Sequence, residues 1–192
     1  MTDQRNALPF KQQLRMVMAF VLLVSIIEVI NLLTLGWMHQ FGIMPRTVSS
    51  LPFILTAPFI HGNLWHYFSN IVPLAIFSLL LLQHGKSRFY AVTVLCILVS
   101  GLCVWLFARS ANHIGISGLV YGYFGYLVAA GFISREIKLI LISIVVGVSY
   151  GGMVFGILPL NAYVSWESHL FGLLVGIGCA FLVGKRNAIG QR

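Results

Sequence analysis

Gly115-Ile116-Ser117-Gly118-Leu119-Val120-Tyr121-Gly122 stands where a short polar segment, Arg109-Ser110-Ala111-Asn112-His113, gives way to an apolar run ending near Ser134. A run of that length is a membrane-crossing helix, since a bilayer core takes about 20 apolar residues, and the polar segment is the loop that leads into it. Ser117 is then a serine among glycines at the entrance of a membrane helix. Small residues are common there for packing alone. A nucleophile would gain from the same place, because Gly118 leaves room beside the hydroxyl and a helix start offers N–H groups with no intrahelical acceptor. Two further segments, residues 63–70 and 166–176, weigh on the choice because they lie at the same depth.

The composition sets the class. Of 192 residues, 59% are hydrophobic and only 8% charged, which excludes a soluble globular surface and implies an all-α polytopic membrane protein. The length allows about six helices with short loops and leaves no separate soluble domain. A net charge of +8 would point to nucleic acid in a soluble protein. Here basic loops facing anionic lipid account for it, so no nucleic-acid partner is expected. Cys96, Cys103 and Cys179 all lie within apolar runs and read as buried thiols, without a disulfide framework.

Apolar spans are expected at residues 16–35, 59–82, 89–108, 116–134, 137–157 and 166–184, within one membrane domain over 16–184. Residues 1–15 and 185–192 are polar tails. The first span is too long for a signal h-region and lacks a small-x-small cleavage site, so it reads as retained. Residues 36–58 are broken by Gly36, Gly42, Pro45, Pro52 and Pro58 yet stay apolar, as a loop lying at the membrane interface would. The runs are near-continuous rather than alternating, which argues against a barrel. Glu28 and Asn31, three apart on one face of the first span, read as a buried hydrogen-bonded pair of groups.

With the N-terminus inside, the inner loops and tails carry Arg5, Lys11, Arg15, Lys86, Arg88, Arg135, Lys138, Lys185, Arg186 and Arg192; the outer loops carry Arg46 and Arg109. That split predicts cytoplasmic N- and C-termini. The second, fourth and sixth spans then begin on the outside, each with polar residues near its outer end: His61, Asn63, His66 and Asn70; Ser117; Glu167, Ser168 and His169. Polar groups at one depth on three helices imply a shared hydrated cavity opening outward. Gly118, Gly122 and Gly125 form one small-residue stripe, and Gly172 and Gly176 another, on the face that carries His169. Such stripes bring helix backbones together, so Ser117 and His169 are expected to meet as nucleophile and general base. The Ser117 N–H, His66 and Asn70 are candidate donors to an oxyanion.

These residues carry a resemblance. Gly-x-Ser-Gly around Ser117, with Tyr121 four residues on, resembles the nucleophile motif of the rhomboid intramembrane serine proteases. His61-x4-His66-x3-Asn70 resembles their second-helix motif and His169-x2-Gly172 their sixth. Pro45-Arg46 and Ala57-Pro58-Phe59-Ile60-His61-Gly62-Asn63 are similar to a bacterial branch. The resemblance implies a six-helix rhomboid-like bundle in the bacterial inner membrane that hydrolyses peptide bonds in or near transmembrane segments of its protein substrates. It needs no cofactor or metal. Ser117 and His169 would form the dyad, with no orienting Asp. Asn70, His66 and the Ser117 N–H would make the oxyanion site, supported by Gly115 and Gly118, and Tyr121 would pack on the His169 ring. Gly122, Gly172 and Gly176 would pack the helices. Two departures stand out: Ser168 replaces the usual Ala or Gly before the histidine, and no soluble domain of the kind some bacterial members carry is expected.

Three other classes compete. His39, His61, His66, His113 and His169 share the outer side, but no His-Glu-x-x-His pair occurs and His61 and His66 are five apart, off the spacing of helical ligation. A transporter would need more intramembrane charge than Glu28 supplies. An inactive rhomboid-like protein that binds or escorts membrane helices would be expected to have lost Ser117 or His169.

Overall fold

A segment that crosses lipid must satisfy its own backbone polar groups, which leaves helices or closed barrels. In the computed structural model, which describes residues 8–184, the chain takes the first route. Helices and 3₁₀ turns are joined by loops, and the one β-type pairing among the described residues is the bridge between Ile43 and His113. The expectations for Arg5, Lys185, Arg186 and Arg192, and for the rest of 1–7 and 185–192, lie outside the described residues.

Helix α1 (Phe10–Leu33) starts behind Pro9, ahead of the apolar run at Met16. Pro9 has no N–H to lose and sets the helix going, and Lys11 and Arg15 ride on the first turns, where long stems let a charge reach water. After Gly36, at φ 79°, the chain forms 3₁₀ turns at Trp37–Phe41, Val48–Ile54 and Ala57–Phe59. Pro45, Pro52 and Pro58 remove the N–H groups that an α-helix there would use. Asn63 caps α2 (Leu64–Leu82), its Oδ1 accepting the His66 N–H at 2.8 Å.

Helix α3 (Lys86–Leu95) passes through a π turn at Cys96–Ser100 into α4 (Gly101–Phe107), giving one span. The end of α4 is capped from a distance. Arg46 donates its backbone N–H to Trp105 O at 2.9 Å and its Nη1 to Ala108 O at 2.7 Å, placing a cation where a helix leaves its carbonyls unpaired. Helix α5 (Ser117–Ser134) closes on Arg135 at φ 57° and turns directly into α6 (Ile137–Tyr150), which runs on as a 3₁₀ segment, Gly151–Ile157. Helix α7 (Trp166–Gly184) completes the bundle. Among the described residues, five spans are long and apolar enough to cross a membrane: α1, α2, α3 with α4, α5, and α6 with its 3₁₀ extension; α7 is a sixth apolar helix.

Helix α5 is the axis of the bundle. Every side chain from Ser117 to Leu127 is buried, whereas α6 buries only Leu139, Ser143 and Val146. The α5–α7 interface is the largest among the described residues. Its glycines explain why: a Cβ at Gly172 would overlap the carbonyl oxygen of Gly118, and one at Gly176 that of Gly122. The two helices touch backbone to backbone. Around this axis Leu74, Phe77, Leu81, Val92, Tyr123 and Leu127 fill the core, while Met18, Leu22, Val29, Phe132, Val145 and Val148 face outward as an apolar girdle, as on a membrane protein.

Candidate active site

Two chain turns converge where α5 and α7 begin. On the α5 side, Gly115 takes φ +112°, a conformation that L side chains rarely adopt, and donates its N–H to Ala57 O at 2.9 Å. Ser117 is the first residue of α5 and only 5% exposed. The N–H groups of Ser117, Gly118 and Leu119 precede the first helical bond, from Val120 N–H to Ile116 O at 3.1 Å, and have no intrahelical acceptor. The loop that delivers Ser117 is stitched to the 3₁₀ segment by the Ile43–His113 bridge and by Asn112 Nδ2 donating to His39 O at 2.7 Å.

On the α7 side, the first turn is clamped to the same loop. Arg109 donates its N–H to Glu167 Oε1 at 3.3 Å, its Nε lies 3.7 Å from that oxygen, and its Nη2 donates to Val164 O at 2.7 Å. Beside it, burial holds the His113 imidazole below the ordinary histidine range, against the Arg109 carbonyl and the Glu167 carboxylate, which act to raise it. The neutral ring then has one arrangement. Nε2–H donates to Arg109 O at 3.0 Å, Nδ1 accepts from the Ser165 hydroxyl at 2.6 Å, and Ser168 donates to Ser165 Oγ at 2.6 Å. The hydroxyl of Ser168 is thus used locally, as its position before His169 allows.

His169, 9% exposed, lies one turn into α7 and stacks on Tyr121, ring centroids 4.1 Å apart and planes 6° from parallel. The Tyr121 hydroxyl donates to Met153 O at 2.9 Å. His169 Nδ1 lies 2.8 Å from Gly156 O, a carbonyl, so Nδ1 carries the proton and Nε2 of the neutral ring is the free base. Gly118, next to Ser117, lies against Ser168, next to His169: a Cβ on Gly118 would stand 3.3 Å from Ser168 O. The expected Ser117–His169 hydrogen bond itself is not formed; the polar contact of His169 is with Gly156. Nucleophile–base bonds are commonly long without substrate and shorten once it binds.

The candidate oxyanion donors His66 and Asn70 both stand on α2. The His66 ring stands directly over Gly115, where a Cβ would come within 2.7 Å of Nε2. His66 Nδ1 accepts from Gly62 N–H at 3.4 Å, which leaves Nε2–H as the free donor. Asn70 Nδ2 spends one hydrogen on His66 O at 2.7 Å and retains the other. Gly122 and Gly176 lie deeper, at the α5–α7 contact. Sequence reasoning missed Gly156, the clamp between Arg109 and Glu167, and the capping role of Arg46.

The 3₁₀ turn that holds Gly156 leaves little space. A methyl there would meet the Tyr121 hydroxyl and sit 3.4 Å from His169 Nδ1, whereas Gly152 faces open space. Gly156→Ala is therefore expected to lower kcat by about a hundredfold with KM little changed, the cost of displacing a base by roughly 1 Å. Gly152→Ala should match the parent. Steady-state kinetics on a membrane-segment substrate checks both.

A multi-pass helical bundle, its axial helix opening on a buried serine and its neighbour carrying a histidine at the same end, defines an integral membrane protein with a candidate hydrolytic site. Residues 46–186 match the Rhomboid domain, and the chain belongs to the rhomboid family. It is 32% identical over 176 residues to uncharacterized proteins of Mycobacterium bovis and Mycobacterium tuberculosis, covering 87% of this chain and 73% of theirs. An uncharacterized protein of Mycobacterium leprae is 31% identical over 176 residues, covering 87% of this chain and 70% of its own.

Proposed function

We propose that the protein is an intramembrane serine endopeptidase of the bacterial inner membrane that cuts transmembrane protein substrates. The observation that carries the reading is the Nδ1–H bond of His169 to Gly156 O, which leaves Nε2 basic on the helix packed against the one that begins with Ser117. The Ser117 oxygen attacks the peptide carbonyl carbon while His169 Nε2 takes its proton. The oxyanion is held by the Ser117 N–H, His66 Nε2–H and Asn70. The intermediate collapses with cleavage of the C–N bond, His169 protonates the leaving amine, and water then releases the acyl group by the same route in reverse. The membrane domain over 16–184, its interfacial segment 36–58, polar tails at 1–15 and 185–192 and cytoplasmic termini belong to the same reading, supported by the distribution of Lys and Arg.

Ser117 begins α5 and His169 lies within the first turn of α7, so at ~1.5 Å per residue both sit a few ångströms below the outer helix ends. A substrate must bring an unwound bond to that depth. The test places one small-residue cleavage segment at the outer end, the middle or the inner end of a model membrane helix, in liposomes holding the purified protein. Cutting should occur at the outer position and fall away with depth, and a fluorophosphonate probe should label Ser117. No cutting and no labelling would favour a protein that only binds membrane helices; equal cutting at the inner end would displace the site from Ser117 and His169.

A further inference from the structure

A carboxyl group in a lipid-crossing helix is costly and calls for a function. Glu28 of α1 is 2% exposed. Its Oε2 accepts the backbone N–H of His61 at 3.2 Å and lies 3.6 Å from the ring Nδ1. One turn on, Asn31 Nδ2 donates to the carbonyl oxygen of the same residue at 2.9 Å, and His39 Nε2 reaches that oxygen at 3.0 Å. Side chains of α1 thus grip both polar groups of one backbone residue, as a neighbouring strand would. The remaining atoms do not form a saturated network. Glu28 Oε1, Asn31 Oδ1 and both ring nitrogens of His61 lack a partner among the described residues. The bonds that are made converge on the backbone of His61.

His61 lies between the candidate site and α1. Its ring meets His66 edge to face, centroids 5.1 Å apart, and Tyr67 at 5.6 Å. The next residues, Gly62 and Asn63, hold His66 directly: Gly62 N–H donates to His66 Nδ1, and Asn63 Oδ1 accepts the His66 N–H. Any slip of the His61 backbone is carried to the His66 ring, which stands over Gly115, two residues ahead of Ser117.

We propose that Glu28, with Asn31, is a positioning residue for the Ser117 site, fixing the backbone of His61 so that His66 presents its donor beside the start of α5. The proposal rests on the reading of Ser117 as nucleophile and His66 as oxyanion donor. It makes the first helix, which supplies none of the reacting groups, part of what places one of them.

The test uses the full-length protein in liposomes with a membrane-segment substrate cut at its outer end, recording kcat, KM and melting temperature. Glu28→Gln keeps an acceptor oxygen and should stay within about threefold of the parent. Glu28→Leu removes the acceptor while suiting a lipid-crossing helix. Its kcat should fall roughly ten- to a hundredfold, less than the 10²–10³ typical for deleting an oxyanion donor outright, with KM nearly unchanged. Combined with His66→Ala, Glu28→Leu should cost nothing more, because its effect runs through His66. Full activity of Glu28→Leu, a loss that multiplies with that of His66→Ala, or a loss that only tracks the melted fraction would each overturn the proposal. If Glu28→Leu does not fold, Asn31→Leu supplies the same cycle with a smaller loss, since His39 still holds the His61 carbonyl. Wild-type cleavage by Ser117→Ala would overturn the underlying nucleophile reading, whereas an inert Ser117→Ala beside a fully active Glu28→Leu would overturn the positioning role alone.

Discussion

Ser117→Ala should bring cleavage of a membrane-segment substrate down to background, a loss of about 10⁴-fold or more, and His169→Ala should do nearly the same. General-base assistance alone is worth about 10²–10⁴; Ser117→Ala also removes the covalent route, and His169→Ala leaves the serine with no base to activate it. The double variant should be no slower than the singles, because a nucleophile and its base act as one unit. Asn70→Ala should retain measurable activity: its amide already spends one hydrogen on His66 O, and a single oxyanion donor is worth about 10²–10³. Initial rates with purified protein in liposomes give the ranking. Full activity of Ser117→Ala would sink the nucleophile assignment.

The second large effect concerns the α5–α7 contact. Backbone, which cannot swing aside as a side chain can, faces Gly172 and Gly176: the carbonyls of Gly118 and Gly122. Gly176→Ala should cost about 1–3 kcal/mol of stability, the usual range for overpacking. Gly172→Val should prevent the helices from closing and abolish cleavage, since Gly172 touches the residue that follows Ser117 and lies one turn beyond His169. Gly178 faces open space, so Gly178→Ala serves as the neutral control. Thermal unfolding in detergent, run beside the cleavage assay, separates a loosened bundle from a damaged site. A Gly172→Val protein that melts and cuts like the parent would show that α5 and α7 do not need this close approach.

Much of this architecture can be read from residue types alone. Near-continuous apolar runs mark the spans, and glycines four apart on α5 and α7 mark where two of them touch. Bonds made by backbone atoms leave no such mark. Glu28 and Asn31 declare that something polar lies opposite them, but their partner is the main chain of His61, and any residue there would have the same N–H and C=O. The start of α1 at Phe10 depends on Pro9 rather than on hydropathy, so the apolar run alone places it too late. The Arg109–Glu167 clamp could have been found. Among the four acidic residues, Glu167 is the one that the charge distribution puts beside the loops holding Arg46 and Arg109. Pairing two rare opposite charges on one side of a membrane protein would have joined the start of α7 to the loop before α5.

The carbonyl of Gly156 that fixes the His169 tautomer belongs to the main chain. An orienting aspartate can be lost to a single base change in its codon; a carbonyl survives every substitution. What it does not survive is a change of count. Inserting or deleting one residue between 151 and 157 would rotate a different peptide group toward His169, and the imidazole would lose its acceptor though every named side chain remained. Apart from Gly156 itself and Met153, which packs against the core, drift along this turn should be free in residue type and held to a fixed length.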